Sequence, residues 1–151
     1  MAAHAQQQIL DAMKAALVAA ITAARRNVFV DRPDELSTSD VPAIVIEAGD
    51  EDVSAEGVNM PFVLTRIWNV DTICVAAGKL AAAAARDLAR EVEVTLHADI
   101  SAATFGGLCR PIELLAARPQ LTGQSSETVA EVRQSWRITY FTRSGSPDVL
   151  A

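Results

Sequence analysis

The residues able to do chemistry are few. Five carboxylates, Glu47, Asp50, Glu51, Asp52 and Glu56, fall within residues 47–56, close enough together to suggest a hard cation or a shared proton. Their spacing suits neither. A calcium loop needs a glycine at its sixth position and a closing glutamate, and a two-acid active site needs both carboxylates on rigid elements. The simplest reading is a solvated hairpin loop, self-repelling and poorly packed in an isolated subunit. The functional alternative is a ring of such acidic loops around an opening, which only a cyclic oligomer creates.

Elsewhere the search finds no constellation. His4 lies near the start of the chain and His97 at the end of a helical stretch, with no His-Glu-x-x-His or Cys-x-x-Cys spacing to make either a ligand. Cys74 falls in an apolar run and reads as a small buried hydrophobe; Cys109 stands far from it. Gly106-Gly107 lacks the third glycine and following helix of a dinucleotide site, so it reads as a turn. Ser125 and Ser126 have no nucleophile elbow around them. The expectation is a protein that is not an enzyme and uses neither metal nor cofactor.

These residues are carried by an alternation of helical and strand patterns. Ile9, Met13, Leu17 and Ile21 recur every four residues, predicting a helix from about Ala5 to Ala24. A short strand, Asn27 to Val30, and a turn-rich connector, Asp31 to Asp40, follow. Val41 to Glu47 is a second strand and Phe62 to Val75 a long third one. Leu80, Ala84, Leu88, Val92 and Leu96 stripe a helix from Lys79 to His97. The remaining segments are a strand near Leu108 to Ala116, a loop from Arg118 to Thr128 and a last strand from Val129 to Thr142. In that last strand Ala130, Val132, Trp136, Ile138 and Tyr140 share one face and should meet Leu17, Leu88 and Val92. The order is α-β-β-β-α-β-β. It predicts an α+β domain over residues 1–143, a mostly antiparallel and possibly mixed sheet of four or five strands with both helices on one face, and a mobile tail over 144–151.

The long third strand is anomalous. Leu64, Trp68, Val70 and Cys74 occupy one face, but Ile67, Ile73 and Val75 occupy the other, between Asn69 and Asp71. A one-sided sheet should alternate apolar and polar residues. Apolar residues on both faces of a short chain imply that another copy supplies the second cover. Ile67, Asn69, Asp71 and Ile73 are therefore the candidate oligomer interface.

Composition sets outer limits. With 151 residues, half of them hydrophobic and 21% charged, the chain can bury a substantial core. A net charge of −6 argues against a sequence-independent grip on nucleic acid, which needs clustered Lys and Arg. The N-terminal stretch lacks a secretory pattern, and no run approaches the roughly 20 apolar residues of a membrane span, so the expectation is folding in a cytoplasm without membrane association.

With these segments laid out, the chain resembles the tail-terminator (minor tail protein U-like) proteins of long-tailed bacteriophages. The likeness rests on Asp40-Val41-Pro42-Ala43-Ile44-Val45-Ile46 with the acidic run after it, Arg66-Ile67-Trp68-Asn69-Val70, and the helix from Arg86 to Leu96. It continues through Asp99-Ile100, Gly106-Gly107-Leu108 and Trp136-Arg137-Ile138-Thr139-Tyr140. The resemblance implies a ring, often a hexamer, on the head-proximal end of the tail tube, assembled in the host bacterial cytoplasm. Such a ring stops tube growth, meets the tube protein on one side and the head-completion or connector protein on the other, and lets DNA through without specific binding. It implies no catalytic residue. Other readings are a different head–tail joining or tail-completion protein, a small cytoplasmic α+β ligand-binding or regulatory domain acting as a dimer, or an enzyme with an unrecognised site.

Overall fold

The computed structural model describes residues 4–31, 40–56, 62–123 and 128–151. Its strands form one mixed sheet, with helices packed on one face. Ala5–Ala19 form α1, whose first turn is capped by the His4 ring accepting from the Gln6 amide. The helix stops short of the expected Ala24, because Ile21 and Arg25 adopt left-handed backbone conformations (φ 52° and 54°) that turn the chain. Strand β1, Val28–Val30, then runs parallel to the start of β2, Ala43–Glu56. β2 pairs antiparallel with β3, Val63–Ala77, the long strand that the sequence pattern predicts.

The alanine-rich α2, Ala81–Leu96, follows, and then a single helical turn, α3, Ile100–Ala103, capped by Asp99 accepting from the Ala102 amide at 2.8 Å. Gly106 and Gly107 turn with φ of 72° and 95°, as a turn reading expects. β4 spans Glu113–Gly123 and β5 Thr128–Arg143. The expected strand at Leu108–Ala116 is thus displaced towards the C-terminus, and much of the expected loop is strand. Pro119 is tolerated there because β4 is the edge of the sheet. Where a mobile tail is expected, Ser146–Leu150 form β6, paired with the end of β5 after a turn at Gly145. The strand order is β1-β2-β3-β5-β4, with β6 on β5 beyond the reach of β4.

The core lies between the sheet and the helices. Ile9, Met13 and Leu17 of α1, and Leu88, Val92 and Leu96 of α2, meet Ile44, Ile46, Trp68, Val70, Cys74, Trp136, Ile138 and Tyr140, all fully buried. Each buried Leu or Ile contributes about 1.5–3 kcal/mol. The predicted alternation of the last strand, with Trp136, Ile138 and Tyr140 inward, is the one observed. A polar chain runs through this core. The Trp136 indole donates to Thr72 Oγ1 (2.9 Å), Thr72 donates to Gln134 Oε1 (3.1 Å), and Gln134 Nε2 donates to the Ala89 carbonyl of α2 (3.1 Å). Every link has a partner, so the hydrogen bonds offset the desolvation of these buried groups and set the height of α2 over the sheet.

Candidate interaction surface

The acidic run is strand rather than loop. Residues 47–56 form the second half of β2, and the connection to β3 falls on residues 57–61, outside those described. The register explains how five carboxylates tolerate a strand. Ala48 pairs with Val70 and Glu51 with Trp68, so β2 carries one residue more than β3 at this point, a β-bulge at Gly49–Asp50. Gly49 is required there: a Cβ would come within 2.7 Å of the Asn69 carbonyl oxygen. The Trp68 indole donates to the Gly49 carbonyl at 3.2 Å and pins the bulge.

The extra residue reverses the alternation, and Glu51 turns inward. Its carboxylate accepts from the Tyr140 hydroxyl (2.6 Å) and from the Gln6 side-chain amide, and lies 3.4 Å from Arg66. Arg66 also donates through Nε to Thr142 Oγ1 at 2.8 Å. Burial and then the Glu51 hydrogen bond raise the Tyr140 pKa well above its ordinary value, so the phenol stays a donor. Glu51 therefore ties the first turn of α1 to β3 and β5. Its role is internal; Asp50 and Asp52 remain exposed. Nothing in the spacing of acidic residues announces the bulge; only the glycine beside them is a signal.

The far face of the sheet divides into two ends. At the β1 end, Val45, Ile73 and Val75 are buried, with Phe29, Val41 and Val129 packed against them. Ile73 is 1% exposed within the single chain, which corrects its assignment to an intersubunit contact. In the middle, Glu47 and Asp71 stand directly opposite each other, an unfavourable pairing of like charges. Arg133 bridges them, 3.1 Å from Glu47 and 2.7 Å from Asp71. The hydrogen bond to Asp71, with help from Glu47, raises the Arg133 pKa against the effect of burial. Asp71 is thus engaged within the subunit. At the other end, Ile67 and Val63 are 38% and 39% exposed, beside the half-buried Phe141, over which Arg110 stacks at 4.8 Å. Asn69 is exposed. Of the four expected interface residues, the structure leaves Ile67 and Asn69 open, pairs the half-buried Asp71 with Arg133 and buries Ile73.

No protein-family model matches the sequence, and no curated protein matches it. Among solved structures, the chain is similar to one in the virion of a native gene transfer agent (GTA) particle. That likeness covers 90% of this chain and 92% of the other, at 18% identity and a TM-score of 0.42.

Both flanks of the sheet are open among the described residues. β1 covers β2 only along Ile44–Ile46, so the rest of β2 presents a bare edge carrying Asp50, Asp52 and the 49%-exposed Val53. On the opposite flank the outer edge of β4 pairs with no strand, and a groove of about 270 Å³ runs between it and α2. Leu121, 64% exposed, stands on its rim. Among the described residues no three His, Cys, Asp or Glu side chains converge on a common point, and no helix is long and apolar enough to cross a membrane. His97 donates from Nε2 to the Ile112 carbonyl (2.9 Å) and meets Trp136 edge-on, a packing role at the end of α2. Ser125 and Ser126 lie outside the described residues.

Proposed function

We propose that this chain is a structural virion protein, a tail terminator that assembles as a ring on the head-proximal end of a phage-type tail tube. The supporting observation is a sheet that is covered on one face by helices, left partly apolar at Val63 and Ile67 on the other, and, among the described residues, bare along both flanks. A ring subunit needs contacts to a copy on each side, to the tube protein below and to the head connector above. The two flanks and the open end of the far face are three separate surfaces, and they answer that need better than one pocket does. The resemblance in the residue patterns around Pro42, Trp68 and Trp136 supplies the specific role. A net charge of −6 suits a conduit, because each Lys or Arg on a phosphate adds affinity and friction to passing DNA.

Sedimentation velocity combined with negative-stain imaging of the purified chain tests the ring, and a joining assay with terminator-deficient tails and filled heads tests the role. Ring-shaped particles that restore joining are expected. A protein that stays monomeric at high concentration and does not restore joining overturns the proposal.

A further inference from the structure

The two bare flanks differ in character, and the difference is complementary. The β2 flank is acidic, with Asp50 and Asp52 exposed at and beyond the bulge and Val53 as its exposed apolar side chain. The opposite flank offers the α2–β4 groove, walled by Ala82, Ala85, Pro119 and Leu121 over Val132, with Arg86 lining it on the helix side. Arg118, exposed, precedes Pro119 on the strand side. Glu131 also lines the groove, but it is already engaged within the chain. Direct strand-to-strand pairing across the flanks is discouraged on both sides, by the bulge in β2 and by Pro119 in β4. Contact through side chains is not.

We infer that the α2–β4 groove of one copy receives the β2 flank of the next, Val53 entering the apolar channel while Asp50 and Asp52 face Arg86 and Arg118. The inference rests on the ring reading above and names the surfaces that build the ring. The strand order places the two surfaces at opposite ends of the sheet, β2 bare on one side and β4 on the other. Their contact is head-to-tail, the kind that propagates from copy to copy rather than stopping at a two-fold dimer, and that makes a ring when the rotation between copies closes. Opposite charges at the rim fix partner and register, and the apolar contact at the centre supplies affinity.

A charge swap tests this. One variant carries Asp50→Arg and Asp52→Arg, the other Arg86→Glu and Arg118→Glu. All four side chains are exposed, so circular dichroism and thermal unfolding should stay near wild type. Each variant alone should need a concentration about tenfold or more higher than wild type to assemble. Mixed in equal amounts, they should assemble as wild type does, because an alternating ring pairs every reversed flank with a reversed groove. Independently, a Val53→Cys and Leu121→Cys chain should form disulfides between subunits under mild oxidation. Wild-type rings, with variants that assemble normally or a mixture that is not restored, overturn this inference and leave the ring reading standing. A wild-type protein that forms no ring, only monomers or a two-fold dimer, overturns both.

Discussion

Glu51 is one carboxylate among five, yet its surroundings separate it from the rest. It accepts from Tyr140 and Gln6 and faces Arg66 inside the molecule, whereas Asp50 and Asp52 stand in solvent. Replacing Asp50 and Asp52 by Ser should leave the stability of the isolated subunit nearly unchanged. Glu51→Ala should cost on the order of 2 kcal/mol, since it strands hydrogen-bond donors that are largely withdrawn from water. Urea unfolding of both variants, at a concentration where the wild type is monomeric, checks the contrast. Cys74 makes a second prediction at this scale. Burial, and then the charge of Glu91, push its thiol from 9.0 up to about 12. The folded chain therefore keeps a proton that the unfolded chain releases above pH 9. The stability associated with this group is whole below pH 9 and falls as the pH rises towards 12. Cys109, likewise pushed up by burial to about 12, and Tyr140 act in the same direction. Cys74→Ala should remove about one proton's worth of the alkaline slope, readable from denaturation curves collected at a series of pH values.

At the scale of elements, the bulge in β2 and the inward face of β5 decide the packing. Trp136→Ala should destabilise by about 3–5 kcal/mol, because the indole is fully buried and its loss also takes a hydrogen-bond donor from Thr72. Gly49→Ala should cost about 1–3 kcal/mol by forcing a methyl against the Asn69 carbonyl, and it should alter Trp68 fluorescence in a Trp136→Phe background. Equilibrium unfolding followed by emission reads both. Much of this level was legible in the residue pattern. The stripes of α1 and α2, the length of β3 and the alternation of β5 are local periodicities, and local periodicity survives folding. The misplaced parts depend on distant neighbours. β4 runs on past Ala116 because the edge position that lets Pro119 stay in a strand is a property of the sheet. The acidic run looked like a loop because a strand of carboxylates is stable only when Tyr140, Arg66 and Arg133, far along the chain, arrive to meet them. β6 is short and paired only to the end of β5, too little pattern to stand out from a tail.

For the whole molecule, the informative asymmetry lies between the two faces of the sheet. The proposal that the far face of β3 is an interface is now confined to the end left open. Ile73 already has neighbours within the chain, so Ile73→Asp would bury a charge in the subunit's own packing and test folding rather than assembly. Ile67→Asp is the informative substitution. At 38% exposure the side chain reaches water, so far-UV circular dichroism should be unchanged while self-assembly or tube binding weakens. Analytical ultracentrifugation with and without tail tubes distinguishes the two contacts, and a variant that assembles and binds normally removes the open end from the list of contact surfaces.

The bulge at Gly49–Asp50 also bears on how this chain can change length. A strand reads its residues in twos, so one extra residue inverts every side chain between the insertion and the next turn. Deleting one residue at positions 49–50 would remove the surplus residue: Ala48 would still meet Val70 and Glu51 would still meet Trp68, so Glu51 would keep its inward side and only the bulge would be lost. Deleting both would do more harm, setting Glu51 opposite Asn69 on the far face and bringing Asp52 beneath the helices. Natural shortening of this segment should therefore stop at one residue, at the bulge itself.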